Sequence, residues 1–548
     1  MHKRDILIRM IKLLLPYRQQ MILAVLCFCL SGVISFNIPL INQRLVDYGF
    51  IAMDFSYIVE MSMVLFLCYV AHSGLNYINQ RLRVKIYSDL RRRLLSDYSD
   101  HAMKVCMMSL WGVNYAEHIA NLQEDMDNML LVADEGVVFI ISQLFSIIGG
   151  IAGLWMIDPR LLIVFVLFIP LKVLVLLFLS RRREACITNC LLHMEMTTRS
   201  LSELLGGMRD VRVFGLQKNF KDRLNKEFET TSKFRGKVEL VSQENLILDN
   251  ILVQFLTLSV HLIGGFFVFK MGLSVGSVFA FAAYGVYLTS PVSTILNTRY
   301  IFAGIFPSAA RYFSFMDLEE ERSGCLSTEN RFLGVDFSKV HFSYGGTWKM
   351  QDMTFSITPR EKIAFVGKNG AGKTTIFQLL LRYVEPQSGE IRMGKYRISE
   401  YDLESFRNLF SVVSQDIFLF NGSIRDNICL GENVAEEKLN DILEVSGLAE
   451  LVRRESLDYN VGENGKHLSG GQRQKIALAR SLIFDRPVVI FDEATAHIDA
   501  LSDTMMRTLL RDVLVEKTVL YISHQETLLQ YATKVYSVES DGIKRIAG

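Results

Sequence analysis

Six long apolar runs lie within the first 300 residues of this 548-residue chain and constrain its fold more than any other feature. Each run is close to the roughly 20 residues that an α-helix needs to cross a bilayer. Six such helices in series are hard to bury in the core of a soluble protein. The sequence therefore predicts six membrane spans: Met21–Ile41, Ile58–Asn76, Val137–Ile157, Leu161–Leu179, Ile247–Phe269 and Val275–Leu296.

Lysine and arginine are distributed unevenly around these runs. They cluster in the N-terminal tail and in the long connections after the second and fourth runs, whereas the other connections carry essentially Arg44, Arg160 and Lys270. Because positive residues concentrate on the cytoplasmic side, both termini and both long connections are predicted to be cytoplasmic. We expect a multi-pass protein of the plasma membrane (the inner membrane of a bacterium), with spans two to five continuing below the bilayer as helices.

The remainder of the chain has the composition of a soluble domain. Strand-like alternation begins near Phe332, as in Val340–Tyr344. The predicted division is an α-helical transmembrane domain at 1–315, a linker at 316–331 and a soluble α/β domain at 332–548. The 8 scattered cysteines form no C-x-x-C pair, which argues against a disulfide framework or a zinc site. A formal net charge of +1 gives no general attraction for nucleic acid.

A glycine-rich segment, Gly367–Thr374, carries the clearest chemical signal of the second half. It reads G-x-x-x-x-G-K-T between an apolar strand pattern, Lys362–Val366, and a helical pattern, Thr375–Leu380. Glycines let backbone N–H groups turn inward around phosphate oxygens. Lys373 can then reach the β- and γ-phosphates, and the Thr374 hydroxyl can bind Mg²⁺. The segment predicts a nucleotide site and identifies residues 332–548 as an α/β phosphate-loop ATPase domain.

Two further stretches fit the same chemistry. Leu468–Gln472 opens a helical pattern with Ser-Gly-Gly, whose unhindered N–H groups suit a γ-phosphate. Val488–Phe491 reads as a buried strand followed by two carboxylates. Asp492 would hold Mg²⁺, and Glu493 would orient or deprotonate the attacking water.

Taken in order, these motifs resemble an ATP-binding cassette exporter half-transporter, in which six spans are fused to one nucleotide-binding domain. The resemblance covers nearly the whole chain and implies ATP and Mg²⁺ as cofactors. It implies catalytic roles for Glu493, His524, Lys373 and Gln415, and Mg²⁺ contacts from Thr374, Gln415 and Asp492. The implied nucleotide contacts are Tyr344, Gly367, Asn369, Gly370, Gly372, Lys373, Thr374, Thr375, Ser469, Gly471 and Gln472.

One segment departs from the family pattern. Ala496-His497-Ile498-Asp499 stands where the family usually has Ser-Ala-Leu-Asp, so the geometry that His497 gives to the dimer seam is open. Hydrolysis is still expected, because Lys373, Asp492, Glu493 and His524 are all present.

The resemblance also implies a second subunit, because the family holds each ATP between one chain's phosphate loop and the partner's Leu-Ser-Gly-Gly-Gln. Intact Glu493 and Ser469–Gln472 favour a homodimer over a heterodimer. ATP binding would close the two domains and turn the membrane halves outward, and hydrolysis would reset them. The segments around Trp111–Glu117 and Met194–Leu201 are expected to dock on the ATPase domains.

The cargo is left open by the sequence. Polar residues share one face of span five (Asn250, Gln254, Thr257, His261) and of span six (Tyr287, Ser290, Thr294, Asn297 or Thr298). They are expected to line the transport route, with interhelical hydrogen bonds as the alternative. Asp249 is expected to snorkel or to pair with a loop arginine rather than to select a cation.

A hydrophobic or amphipathic molecule is expected as cargo: a peptide, a lipid-linked molecule or a drug. Membrane lipid is an expected partner. Peptide exporters of the family that cut a leader carry a protease before span one, so a cargo without a leader is expected here. The alternatives are a non-transporting membrane ATPase that acts as sensor or regulator, and an ATP-gated channel. ATP-dependent uptake into inside-out vesicles distinguishes the pump from both.

Overall fold

The computed structural model describes residues 3–111, 115–135, 137–345, 349–492, 505–523, 525–539 and 542–547. The chain divides into two compact units. The first comprises Met1–Met103 and Val113–Asp317, and the second comprises Lys104–Gly112 and Leu318–Gly548.

The first unit consists of helices, and each predicted span lies within one of them. Six helical segments of the described residues are long and apolar enough to cross a membrane, which confirms the predicted number. The helices are α1 (Lys3–Leu14), α2 (Arg18–Arg44), α3 (Phe55–Ala102), α4 (Tyr115–Glu135), α5 (Val137–Ile157), α6 (Pro159–Gly206), α7 (Met208–Val213), α8 (Gln217–Met271) and α9 (Val275–Met316).

Several of these helices are much longer than a bilayer is thick. Helices α3 and α6 contain 48 residues each, and α8 contains 55. At 1.5 Å per residue, 48 residues extend about 72 Å, more than twice the roughly 30 Å hydrocarbon core. The predicted continuation of the spans as polar helices is therefore present in α3, α6 and α8.

Local sequence explains where three spanning helices begin. The Asp54 carboxylate accepts a hydrogen bond from the Tyr57 N–H at 3.1 Å and caps α3. Asp158 caps α6 through the Arg160 N–H at 2.8 Å, with Pro159 at the first helical position. Ser274 caps α9. These short polar side chains satisfy N–H groups that have no partner within the helix, so short turns suffice between spans.

An ion pair with a fully buried lysine joins three spanning helices. The Lys172 ammonium on α6 is fully buried and lies 2.9 Å from the Asp249 carboxylate on α8. It also donates to the Thr289 carbonyl oxygen on α9 at 3.0 Å, and the Ser293 hydroxyl donates to Asp249 at 3.0 Å. The expected snorkelling of Asp249, or its pairing with a loop arginine, is therefore wrong, because the partner is a lysine within span four.

The second unit contains two sheets. The strands are β1 (Val335–Phe342), β2 (Met350–Ile357), β3 (Lys362–Val366), β4 (Ser388–Met393), β5 (Tyr396–Arg397), β6 (Phe410–Val413), β7 (Val488–Phe491), β8 (Thr518–Ile522), β9 (Lys534–Glu539) and β10 (Gly542–Ala547). Strands β2, β1, β4 and β5 form an antiparallel sheet in that order, and the second sheet has the order β10-β9-β3-β8-β7-β6. Five strands of the larger sheet are parallel, and β10 is antiparallel to β9.

Short helices lie between these strands along the chain. Both faces of β3 and β8 are buried, as is typical of a parallel strand covered on both sides. Ile363 and Phe365 belong to one apolar core, and Ala364 belongs to another. The helices are α10 (Lys373–Leu380), α11 (Leu403–Arg407), α12 (Ile424–Cys429), α13 (Glu436–Val445), α14 (Ala449–Glu455), α15 (Gly470–Ile483) and α16 (Glu526–Leu529).

A segment from the first half of the chain belongs to the second unit. Val105 forms an antiparallel bridge with Glu320, in which the Cys106 N–H donates to the Glu319 carbonyl at 3.0 Å. The Glu321 N–H donates to the Lys104 carbonyl at 2.7 Å. The connection after span two is therefore held by backbone hydrogen bonds to the stretch that precedes the ATPase domain.

Candidate active site

The glycine-rich loop lies between β3 and α10, the strand and helix predicted around it. Helix α10 begins at Lys373, two residues earlier than the predicted helical pattern. Gly367, Gly370 and Gly372 have φ values of +148°, +79° and +102°, which residues with a Cβ rarely adopt. The loop therefore has the backbone freedom that an inward-facing ring of N–H groups requires.

Gly367 has a second reason to lack a side chain, which leads to a prediction. A Cβ at this position would lie 2.4 Å from the Val538 carbonyl oxygen on β9. Gly367→Ala is therefore expected to displace the loop and to lower ATP affinity and hydrolysis at least tenfold. Gly236→Ala in α8 is the matched control, because its Cβ would meet no atom within 4 Å. ATP titration of both variants measures the difference, and equal affinities would contradict the assigned loop geometry.

Lys373 and Thr374 connect the loop to the end of β7. The Lys373 ammonium is buried and donates to the Gly367 and Lys368 carbonyls at 2.9 and 3.1 Å. The Thr374 hydroxyl donates to the Asp492 carboxylate at 3.0 Å. The Asp492 N–H donates to the Val413 carbonyl at 2.9 Å, which fixes the carboxylate at the carboxyl edge of the sheet. A lysine, a hydroxyl and a carboxylate thus converge beside the loop.

Tyr344 is fixed at the start of the irregular segment after β1. Its hydroxyl contacts the Thr375 hydroxyl at 3.1 Å and donates to the Gln378 side-chain carbonyl, both on α10. Burial raises the pKa of the Tyr344 phenol above its usual value, and the Thr375 bond only partly offsets this shift. The phenol therefore stays neutral at physiological pH, and the residue as a whole is 38% exposed.

Trp111 lies against the same tyrosine, with ring centroids 5.4 Å apart and planes at 54°. The sequence predicted only that Trp111 belongs to a docking segment. Its contact with Tyr344 was not predicted, because the two residues lie far apart in the chain and belong to no common motif. Part of the predicted docking segment, 112–114, lies outside the described residues. Met194–Leu201, the other predicted docking segment, lies within α6.

This contact predicts an effect of Trp111 on ATP affinity. Tilted aromatic pairs contribute about 0.5–1.5 kcal/mol beyond burial, so Trp111→Ala is expected to raise the KM for ATP roughly two- to tenfold while largely sparing kcat. Trp155→Ala on α5, where the indole is 63% exposed, is the control. Steady-state ATPase assays compare them. A Trp111 variant with unchanged KM would contradict a role for the contact.

Ser469 and Gln472 form a reciprocal cap at the start of α15. The Gln472 N–H donates to the Ser469 hydroxyl at 3.2 Å, and the Ser469 N–H donates to the Gln472 side-chain carbonyl at 2.8 Å. Gly470 and Gly471 lie between them, and a Cβ on either would meet no atom within 4 Å. The S-x-x-Q spacing is a capping-box signature, so this geometry was readable from the sequence. It leaves the helix N-terminus unobstructed.

The other predicted site residues divide into two groups. Gln415 and Asn369 are described and exposed, Gln415 two residues beyond β6 and Asn369 in the glycine-rich loop. Glu493 and His524, together with His497 and Asp499 of the divergent segment, lie outside the described residues.

The polar residues predicted for the transport route have different surroundings. Thr257 and Thr294 donate to carbonyls of their own helices, Val253 and Ser290. Asn250 and Gln254 line an open groove of about 530 Å³ on α8. The His261 ring contacts Phe279 on α9. Tyr287 lines a different cavity in the first unit, and the side chains of 297 and 298 lie outside the described ones.

The fold and the loop geometry define a membrane-embedded phosphate-loop ATPase. Residues 21–292 match the ABC transporter transmembrane region, and residues 350–496 match the ABC transporter ATPase domain. Together these matches span well over half of the chain. The chain belongs to the ATP-binding cassette transporter family, as a half-transporter with one nucleotide-binding domain.

Characterised and uncharacterised relatives align over nearly the full chain. An uncharacterised ABC transporter ATP-binding protein of Bacillus subtilis, YwjA, is 26% identical over 96% of this chain and 93% of its own length. The ATP-dependent lipid A-core flippase 1 of Colwellia psychrerythraea is 25% identical over 98% of this chain and 92% of its own length. A bacterial Atm1-family ABC exporter, solved with ATP bound, has the same fold: the TM-score is 0.83 over 97% of this chain and 96% of that one, at 19% identity.

The sequence-based identification is therefore confirmed at the level of class. The protein is an integral, multi-pass ABC exporter that binds ATP and couples its hydrolysis to transport. The half-transporter architecture implies dimerisation, because a single chain holds one nucleotide-binding domain.

Proposed function

We propose that this exporter moves a hydrophobic or amphipathic molecule out of the cytoplasm by alternating access, as a homodimer. The observation that carries the proposal is the junction of Lys373, Thr374 and Asp492 on the carboxyl edge of a parallel sheet, in a chain with six spanning helices. Such an edge is where open α/β sheets bind ligands. Both termini would lie on the cytoplasmic side of a plasma or bacterial inner membrane, as the distribution of lysine and arginine indicates.

The residues beside the loop fit a magnesium nucleotide. The positive-φ glycines Gly367, Gly370 and Gly372 suit backbone N–H groups turned toward phosphate, and Lys373 supplies the cation that phosphates need. Thr374 and Asp492, already 3.0 Å apart, offer the oxygen ligands that Mg²⁺ prefers, and Gln415 would add a third. When bound, Mg²⁺ would neutralise part of the negative charge that develops on the transferred phosphoryl group. Thr375 and Asn369 complete the phosphate side, and the Tyr344 ring stacks on adenine.

Hydrolysis is assigned to residues at the end of β7 and β8. Glu493 follows Asp492 directly and would orient or deprotonate the attacking water. His524, two residues beyond β8, would contact the γ-phosphate. The open N-terminus of α15, with Ser469, Gly471 and Gln472, would close over the nucleotide held by the partner subunit.

The proposed cargo is an amphipathic lipid, a peptide or a hydrophobic drug. Relatives named lipid A-core flippases suggest an amphipathic lipid, and a peptide or a hydrophobic drug fits the same membrane domain. The open groove beside Asn250 and Gln254 supports a route along α8. Gln254→Ala and His261→Ala are expected to change cargo-stimulated ATPase activity while leaving basal activity in place.

Vectorial transport tests the proposal. Inside-out proteoliposomes of the wild-type protein should accumulate a fluorescent lipid or drug only with Mg-ATP, and Glu493→Gln proteoliposomes should not. ATP hydrolysis without accumulation of any probe from a panel of lipids, peptides and drugs would favour a membrane ATPase that senses or regulates. Passive flux opened by ATP would indicate a channel.

A further inference from the structure

A cavity of about 450 Å³ lies within the first unit, between α2, α3, α5 and α9. Its volume is within the range of about 300–1,000 Å³ that small-molecule sites occupy. Aromatic rings of Phe28, Phe36, Phe145, Tyr284 and Tyr287 form much of the wall. The cavity is distinct from the groove on α8.

A hydrogen-bonded polar group lines one side of the cavity. The His72 Nδ1 atom lies 2.9 Å from the Ser31 hydroxyl and 3.0 Å from the Ser35 hydroxyl. The Ser31 hydroxyl donates to the Asn76 side-chain carbonyl at 3.3 Å, and the Asn76 amide lies 2.9 Å from His72 Nε2. Three of these bonds close a ring when the neutral imidazole carries its proton on Nδ1. We name Ser31, Ser35, His72 and Asn76 the His72 cluster.

The ring does not use all the hydrogen-bonding capacity of the His72 cluster. Asn76 has two amide hydrogens, of which the ring takes one, and Asn76 is an exposed residue that lines the cavity. Ser35 is only partly buried, and its hydroxyl has both a hydrogen and lone pairs. Helix packing alone rarely leaves such groups beside an open volume at membrane depth, because polar groups in hydrocarbon are costly.

The described residues that line this cavity include no aspartate, glutamate, lysine or arginine. A charged headgroup would therefore be buried without a countercharge, which is strongly unfavourable. Hydroxyl and amide groups of a ligand, by contrast, can replace their hydrogen bonds to water with hydrogen bonds to the His72 cluster. Aromatic and apolar walls suit the remainder of an amphipathic molecule.

We propose that this cavity binds the head of an uncharged amphipathic cargo whose polar groups are hydroxyls or amides, with the His72 cluster as its hydrogen-bonding partner. The inference rests on the proposed export of amphipathic molecules and specifies which of them this chain prefers. It also distinguishes the chain from an exporter that selects anionic or cationic lipids.

Glycines provide a steric test of the cavity. A Cβ at Gly149 would have Phe36 as its nearest neighbour at 3.9 Å, an ordinary contact, so Gly149→Leu would project into the cavity. Gly265 on α8 would have no atom within 4 Å of a Cβ and gives Gly265→Leu as the matched control. Gly150 is unsuitable, because its Cβ would lie 2.9 Å from Leu288.

The experiment uses three fluorescent lipids with the same acyl chains and nitrobenzoxadiazole label, but with a glucosyl, a phosphatidyl or a trimethylammonium head. Binding to the purified full chain is followed by fluorescence anisotropy without nucleotide. The glucosyl probe should bind at least tenfold more tightly than either charged probe. Gly149→Leu should weaken its binding at least tenfold, whereas Gly265→Leu should not. Asn76→Leu should weaken it roughly fivefold, the value of one lost hydrogen bond.

The outcomes separate this inference from the proposed function. Tighter binding of a charged probe, or glucosyl binding unaffected by both Gly149→Leu and Asn76→Leu, would overturn the cavity assignment. ATP-driven accumulation of a charged probe in proteoliposomes would then leave export of amphipathic cargo standing. If Gly149→Leu does not fold, as judged by thermal unfolding, Asn76→Leu decides alone, because its side chain is exposed.

Discussion

Lys373→Ala is expected to reduce ATP hydrolysis by roughly a hundredfold or more, because the Lys373 ammonium is a buried cation that lies within the phosphate loop. Its hydrogen bonds to the Gly367 and Lys368 carbonyls show that it is held within the loop rather than extended into solvent. Alanine removes the charge that stabilises the transferring phosphoryl group. Phosphate release from the purified protein in nanodiscs measures the effect.

Two comparisons make this result specific. Lys395→Ala, at an exposed position between β4 and β5, should keep ATPase activity close to that of the wild type. Asp492→Asn should resemble Lys373→Ala and should be partly rescued by raised Mg²⁺ concentration, since it removes the charge of the proposed Mg²⁺ ligand. Substantial hydrolysis by a folded Lys373→Ala variant would contradict the assignment of the loop as the catalytic nucleotide site.

Lys172→Ala is expected to destabilise the membrane domain by about 3 kcal/mol, because it leaves the Asp249 carboxylate, whose side chain is only 23% exposed, without its cation. Asp249→Asn should cost a similar amount for the converse reason. The double variant Lys172→Ala/Asp249→Ala should recover much of the loss, since no uncompensated charge remains. Thermal unfolding in detergent, followed by the fraction of monodisperse protein, measures all three.

The same pair of helices provides a control for this prediction. Arg182 and Glu244 also join α6 to α8, at 3.2 Å, but their side chains are 57% and 47% exposed. Exposed ion pairs contribute about 0–1 kcal/mol, so Arg182→Ala should barely change the unfolding midpoint. Equal shifts for Arg182→Ala and Lys172→Ala, or additive losses in the double variant, would contradict a buried, mutually dependent pair.

Patterns of residues within one element were readable from the sequence. The six spans follow from runs of apolar residues, because a helix in lipid must satisfy its own backbone and leaves a continuous signal. The phosphate loop follows from Gly367–Thr374, since few other conformations require glycines and a Lys-Thr pair at that spacing. The connection of Thr374 to Asp492 also follows, because parallel strands bring their carboxyl ends to one edge.

Contacts between distant elements were not readable in the same way. Lys172 is an isolated cation in an apolar run, and only the packing of α6 against α8 and α9 reveals Asp249 and Thr289 as its partners. His72 likewise lies within a largely apolar run of α3. Its role depends on two serines of α2 that lie a helical turn apart. Helix periodicity predicts on which face of its own helix a residue lies, but it does not predict which other helix packs against that face.

Disulfide trapping tests the shared nucleotide site most directly. In a variant with the 8 native cysteines replaced and Glu493→Gln slowing turnover, Asn369→Cys and Ser469→Cys are introduced together. Two copies that enclose ATP between one chain's phosphate loop and the partner's α15 should give a covalent dimer when Mg-ATP is added, and far less of it without nucleotide. Protein that binds Mg-ATP yet stays entirely monomeric under oxidation would contradict the account.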